Sequence, residues 1–236
     1  MTPNSLISLS SLDMIAFDAD DTLWVNEPFY RDAEARVREI LQQHVSGADI
    51  QEKLYETEIK NLEIFGYGAK GFTISMIETA IELTDAAVPA ADIQKIIDIG
   101  KGLLQNPIEL LPEVERTVKT LAEKATLMVL TKGDLLDQQA KLQRSGLGRY
   151  FDVIEVVSEK DTDTYLQILQ KHNVPPQRFL MIGNSMRSDI LPILELGGHT
   201  IYIPFHTTWV HETVTETPEN ILKLDSVSEI LNIITE

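Results

Sequence analysis

Short apolar runs alternate along this chain with stretches of helical periodicity. Residues 14–17, 125–130, 151–157 and 178–182 are nearly continuous hydrophobic runs, and each stops abruptly at polar residues. Strands covered on both faces read this way, because neither face meets water. Strands alternating with helical segments predict βαβ units and a parallel sheet. Residues 199–204 give a fifth strand. Helices are expected from Pro112 onward, with Val114, Val118 and Leu121 as the apolar face, over residues 135–146 stopped at Gly146, over 162–173, and over 189–196 ended by Gly197-Gly198. Pro192 is compatible with the last of these if Ser188 is the N-cap, since N–H groups of a first turn have no helical partner anyway. Residues 227–234 predict a closing helix.

Between Pro28 and Pro107 the strand signals vanish. Val37, Ile40, Leu41 and His44/Val45, then Ile50, Leu54, Ile59 and Leu62, recur at helical spacing. Met76, Ile77, Ala80 and Ile81 make another stripe, followed by Ile93, Ile96, Ile97 and Leu103/Leu104. The run Gly66-Tyr67-Gly68-Ala69-Lys70-Gly71 interrupts them and is too rich in glycine for a helix interior. The expected organisation is an α/β domain from residues 1–26 and 110–236, built on a doubly wound parallel sheet, with an all-helical domain inserted over residues 27–109.

Composition narrows the partners. A chain of 236 residues can bury a sizeable core. Its net charge of −17 argues against nucleic acid and anionic membrane, both of which call for a positive surface. The chain has no cysteine, so disulfides and thiolate metal sites are excluded and a reducing compartment suits it. The first residues lack the basic start of a signal peptide, Asp13 breaks the apolar stretch behind them, and no run is long enough to span a bilayer. The expectation is a soluble cytoplasmic protein, a monomer or weak homodimer.

The chemistry lies where the strands end. The run Asp18-Ala19-Asp20-Asp21-Thr22 follows the first strand, Thr131-Lys132-Gly133-Asp134 the second, Ser158-Glu159-Lys160-Asp161 the third, and Gly183-Asn184 with Asp189 the fourth. Parallel strands place their C-terminal ends on one edge, where open α/β sheets bind ligands. Residues distant in sequence therefore converge. Carboxylates packed this closely repel unless a cation neutralises them, and Asp and Thr are hard oxygen donors suited to Mg²⁺. Each residue also has a plainer reading. The acidic run suits a turn, Thr131 a cap, Lys160 a solvated charge between Glu159 and Asp161, and Asp189 a helix N-terminus. Asp21 reads equally as a supporting acid or a turn residue.

Taken in order, Asp18-x-Asp20-x-Thr22, Thr131, Lys160 and Gly183-Asn184-x-x-x-x-Asp189 resemble the haloacid dehalogenase superfamily in its phosphatase branch, over nearly the whole chain. The resemblance implies a Rossmann-like core, a helical cap that closes over the site, and phosphate-ester hydrolysis through an aspartyl-phosphate. It implies Asp18 as nucleophile, Asp20 as general acid and base, and Thr131 and Lys160 on the phosphoryl oxygens. It also implies Mg²⁺ held by Asp18, the carbonyl of Asp20 and Asp189, with Asn184 nearby. Asn184 stands where the family often has Asp, and Asp161 where it often has proline. Thr22 and Lys132 in the core, and Tyr67 and Lys70 in the glycine-rich segment, are candidate contacts to a small phosphorylated metabolite. The loop 204–211, which carries His206, Trp209 and His211, either lines the pocket mouth or covers the core. A phosphomutase or phosphonate hydrolase on the same core remains open. So does a non-enzymatic role, as a phosphoacceptor or metabolite-binding module.

Overall fold

The computed structural model describes residues 7–47, 49–214, 217–218 and 221–235. They fall into two compact units. The first draws on Met1–Glu27, Ile108–Lys132 and Gln138–Glu236, the second on Pro28–Pro107 and Gly133–Asp137.

In the first unit, β1 (Ile7–Ser8) runs parallel to β8 (Ile234–Thr235) as a separate two-stranded pair. The main sheet has six strands: β2 (Met14–Phe17), β3 (Leu127–Lys132), β4 (Val153–Val157), β5 (Phe179–Gly183), β6 (His199–Tyr202) and β7 (Leu222–Lys223). Every pairing is parallel and the spatial order is β4-β3-β2-β5-β6-β7. This is the doubly wound α/β arrangement, with the direction of winding reversing between β2 and β5. Ligand sites of such sheets lie beyond the strand ends at that reversal.

The apolar runs are continuous because both faces are covered. Ile15, Phe17, Leu127, Val129, Leu180 and Ile182 pack on one face against Val114, Val118 and Leu121 of α5 (Val114–Ala122). Met14, Ala16, Met128, Leu130, Phe179 and Met181 pack on the other against Tyr165, Ile168 and Leu169 of α7 (Thr162–Lys171) and Ile193 of α8 (Leu191–Glu195). Each fully buried Leu, Ile or Phe is worth about 1.5–3 kcal/mol relative to exposure. Alternate residues of one strand thus anchor opposite layers, which holds the polar strand ends in register.

Elsewhere the elements differ from the expected ones for local reasons. β7, β1 and β8 are two-residue strands, too short to leave a periodic signature. The closing segment is a 3₁₀ turn (Val227–Glu229) and α9 (Ile230–Ile233), after which Ile234 joins β8 instead of extending the helix. The helix expected over 189–196 begins as a π turn over Met186–Ile190, capped by Ser185 and not Ser188. The Ser185 side chain accepts from Ser188 N, and α8 follows with Pro192 in its first turn. α6 (Leu135–Ser145) stops at Gly146, whose φ of 72° is the left-handed conformation glycine tolerates.

The second unit is helical. α1 (Glu27–Leu41), α2 (Ile50–Phe65), α3 (Ala69–Leu83) and α4 (Ala90–Gln105) bury Val37, Leu41, Ile50, Leu54, Met76, Ala80, Ile96 and Leu103 in one cluster. Those positions are members of the stripes read from sequence, whereas Ile81 at the edge of its stripe is exposed. Gly100 lets α4 approach α3, since a Cβ there would stand 1.9 Å from Thr73 Oγ1. No helix among the described residues is long and apolar enough to cross a membrane.

Candidate active site

Asp18 sits at the C-terminal end of β2, at the reversal of the sheet, with its N–H donating to Ile182 O of neighbouring β5 at 2.9 Å. Its carboxylate is buried and held on both oxygens. Lys160 Nζ lies 2.5 Å from Oδ1, and Thr22 Oγ1 donates to Oδ2 at 3.0 Å. Burial pushes the Asp18 carboxyl above its usual range, and the Asp189 charge adds to that, against the opposing pull of Lys160.

Lys160 comes from the loop after β4 and is only 3% exposed. Its ammonium also binds Asp189 Oδ1 at 2.7 Å, so one cation bridges two carboxylates. Burial opposes that charge, but Asp18 and Asp189 outweigh it and hold the Lys160 pKa above the ordinary lysine value. Lys160 is therefore not the solvated surface charge that its flanking acids allow. Asp161, which stands where the family often has proline, is the N-cap of α7 and accepts from Thr164 N at 2.8 Å. That cap fixes the loop carrying Lys160 by another route.

Asp189 projects from the π turn onto the end of β5. Its Oδ2 accepts from Ser185 N at 2.9 Å, and Tyr165 Oη donates to Ser188 O at 3.0 Å from beneath. Gly183 makes this approach feasible, because a Cβ there would come within 2.2 Å of Asp189 Oδ2.

Asn184 shares the same corner. The neighbours of its amide are oxygens, so the nitrogen faces them, 3.2 Å from Asp20 O, 3.1 Å from Asp18 Oδ2 and 3.0 Å from Thr22 Oγ1. Among the described residues no three His, Asp or Glu side chains gather as a metal cluster. The donor set at this corner is mixed instead: carboxylates from Asp18 and Asp189, the backbone carbonyl of Asp20, and the Asn184 amide. Two of those oxygens, Asp18 Oδ2 and Asp20 O, already converge with Thr22 Oγ1 on the Asn184 amide nitrogen. Hard oxygens arranged in this way fit Mg²⁺.

Thr131 ends β3 with its side chain buried, and among the described residues its hydroxyl reaches only Lys132 O, at 3.4 Å. A hydroxyl so weakly engaged is available to donate elsewhere.

Asp20 lies on the same loop, but its carboxylate is taken up within the core unit. Trp24 Nε1 donates to Oδ1 at 2.7 Å, Gln138 Nε2 to Oδ2 at 2.8 Å, and Lys141 Nζ stands 3.0 and 3.1 Å from the two oxygens. Asp21 is a turn and cap residue. At φ 62° it accepts from Asn26 N at 2.8 Å and Glu27 N at 2.9 Å at the start of α1, and burial pushes its carboxyl up to about 7 despite those bonds.

Of the four expected substrate contacts, Thr22 and Lys132 lie in the first unit and Tyr67 and Lys70 in the second. Thr22 has no exposed surface, and its hydroxyl serves Asp18. Lys132 binds Glu159 at 3.2 Å, Ser188 Oγ at 2.9 Å and Glu212 at 2.5 Å. Lys70 opens α3 in the helical unit and donates to Asp134 at 2.9 Å, while Tyr67 lies half-buried in the loop between α2 and α3.

Sequence reading missed Glu212. It leaves the loop after β6 and accepts from Ser188 Oγ at 2.6 Å and from Ser185 Oγ, beside Lys132. Burial would raise its carboxyl, but Lys132 and the two hydroxyls outweigh that and draw it down to about 2. The loop 204–211, read as lining the pocket mouth or covering the core, is tied to the turn after β5 through adjoining Glu212 and through Arg187, which donates to His211 O at 2.7 Å. Gln138 and Lys141 were missed as well. Their signal is an inverted helix: on α6 these polar residues are buried while Leu135 and Leu136 are 57% and 68% exposed.

A family model described as haloacid dehalogenase-like hydrolase matches residues 12–197. The chain is 24% identical over 211 residues to the 5-amino-6-(5-phospho-D-ribitylamino)uracil phosphatase YigB of Escherichia coli, covering 83% of this chain and 84% of that one. Among solved structures, a haloacid dehalogenase-like family hydrolase from Xanthomonas campestris superposes with a TM-score of 0.84 at 42% identity, over 96% of this chain and 93% of the other. The HAD-hydrolase YfnB of Bacillus subtilis, solved bound to magnesium, gives a TM-score of 0.61 at 18% identity, over 94% and 98%.

Proposed function

The chain belongs to the haloacid dehalogenase-like hydrolase family, and from that premise we propose that it is a Mg²⁺-dependent phosphatase that hydrolyses a small phosphorylated metabolite through an aspartyl-phosphate on Asp18. The observation that carries this reading is the Asp18 carboxylate at the reversal of the sheet, bridged by Lys160 to Asp189, with a second carboxylate, Asp20, two residues on. Halide displacement has no use for a second carboxyl group that protonates a leaving oxygen. Phosphate-ester cleavage does.

Asp18 Oδ attacks phosphorus and the ester oxygen departs. A carboxylate nucleophile divides a very slow hydrolysis into two easier displacements. Thr22 and Lys160 fix the carboxylate on both oxygens, so little orientation remains to be paid for at the moment of attack. Lys160 and the Thr131 hydroxyl stabilise charge on the phosphoryl oxygens, the main way proteins accelerate phosphoryl transfer. Asp20 gives a proton to the leaving oxygen and then takes one from the water that hydrolyses the acyl phosphate, a role worth about 10²–10⁴ in rate. Asp18, Asp189, the Asp20 carbonyl and Asn184 would hold Mg²⁺, which when bound would supply charge that screens the repulsion between anionic nucleophile and anionic substrate. The name of the Escherichia coli relative, a phosphatase of a phosphorylated ribitylamino-uracil, supports a small metabolite as substrate.

Screening phosphomonoesters against the purified protein tests the reading. Phosphate release that stops on chelation and returns with added Mg²⁺ is expected. A folded protein that releases no phosphate from a broad panel, with Mg²⁺ present, would overturn it.

A further inference from the structure

Asp20 is a proposed reacting group whose position is set in large part from outside the nucleophile loop. Trp24, Gln138 and Lys141 make four donor contacts with its carboxylate. Trp24 Nε1 and Lys141 Nζ reach Oδ1, while Gln138 Nε2 and the same Lys141 Nζ reach Oδ2. Two of these side chains, Gln138 and Lys141, stand one turn apart on the buried face of α6. Lys141 is 6% exposed, and its ammonium is further fixed by Asn26 Oδ1 at 2.8 Å.

Stability alone gives a poor account of this arrangement. A buried lysine and a buried glutamine are costly places to spend a helix face that also carries Leu142 into the core. The cost is visible at Gln138, whose Oε1 is buried with no hydrogen-bond partner among the described residues. A buried carbonyl left without a donor destabilises the fold. What Gln138 gains for that cost is one contact, through Nε2, with Asp20.

We infer that Lys141 and Gln138 of α6 are positioning residues for the acid–base carboxyl of Asp20. The inference rests on the phosphatase reading above. Neither residue need touch the substrate. They orient Asp20 as Thr22 and Lys160 orient Asp18, so each of the two carboxyls has its own set of fixed donors. Misplacing a reacting group by about 1 Å costs roughly a hundredfold in rate.

The test compares Gln138→Met, Lys141→Met and Lys141→Arg with wild type and Asp20→Asn on alkyl phosphates and on p-nitrophenyl phosphate. Alkoxide departure needs the acid, whereas nitrophenolate departure does not. Gln138→Met removes the unpaired carbonyl, so it should melt at or above the wild-type temperature. A purely structural role predicts no catalytic defect in it. Positioning predicts that kcat on alkyl phosphates falls roughly ten- to hundredfold with KM unchanged, and falls much less for phosphoenzyme formation from p-nitrophenyl phosphate. Lys141→Arg should recover part of the loss seen in Lys141→Met. If Asp20→Asn is impaired while Gln138→Met and Lys141→Met match wild type on both substrates, the positioning role is wrong and the phosphatase reading stands. If Asp20→Asn itself turns over alkyl phosphates normally, the acid–base reading falls and this inference with it.

Discussion

The Thr22 side chain has no exposed surface and donates to Asp18 Oδ2 at 3.0 Å. The family pattern alone leaves such a threonine free to touch substrate, whereas its burial and its bond to Asp18 favour an orienting role. Thr22→Val keeps the shape and removes the donor, so it should lower kcat about tenfold with KM nearly unchanged, since an orienting contact is lost and not a binding one. A buried acceptor also loses a partner, so the melting temperature should fall by an amount corresponding to about 1–3 kcal/mol. Steady-state kinetics and a thermal melt check both. A rise in KM at constant kcat would return Thr22 to the substrate. Asn184 makes a related point, because its amide nitrogen stands among oxygens of Asp18, Asp20 and Thr22. The substitution of Asn for the family's usual Asp thus removes a negative charge from a corner that already holds two carboxylates.

At the level of elements, the turn after β5 is the least legible from sequence and the most consequential. The spelling Gly183-Asn184 with Asp189 announces a site, but not that the backbone forms a π turn or that Ser185 caps it. The reason is physical: helical periodicity is averaged over turns, and one wide turn of five residues leaves no period. Gly183 is the pivot. In Gly183→Ala the new Cβ would overlap Asp189 Oδ2, Cγ and Cβ, all within 2.7 Å. Overpacking of this kind costs about 1–3 kcal/mol, and here the strain falls on the Asp189–Lys160 pair. Gly183→Ala should therefore lose far more activity than stability, visible as a large fall in kcat/KM and a weaker response to Mg²⁺ beside a modest change in melting temperature. Wild-type activity would mean that Asp189 relaxes without consequence. α6 teaches the complementary lesson, since residues 135–146 read only as a helix stopped at Gly146, although the buried face of α6 carries Gln138 and Lys141. Periodicity locates a helix; it does not tell which polar residues its inner face has been given.

Across the whole molecule, convergence was legible because it follows from topology. Once the apolar runs are parallel strands, Asp18, Thr131 and the residues beyond β4 and β5 must share one edge, and the order β4-β3-β2-β5-β6-β7 puts Asp18 at the reversal. The short strands β1, β7 and β8 were not legible, for they owe their pairing to neighbours and not to their own two residues. Glu212 was equally hidden, because a carboxylate in a loop after the fifth apolar run carries no spacing that ties it to Lys132, Ser185 and Ser188. The central claim is that Asp18 becomes phosphorylated. It is tested most directly in Asp20→Asn protein, where the leaving group of p-nitrophenyl phosphate needs no acid but hydrolysis still needs the base. After mixing with Mg²⁺ and this ester, quenching in acid and digestion, mass spectrometry should find one phosphoryl group on the peptide that contains Asp18, and none when Asp18→Asn is added to the variant. Turnover by the wild type, with no phosphoryl group at Asp18 in the trapped variant and activity surviving Asp18→Asn, would contradict the account.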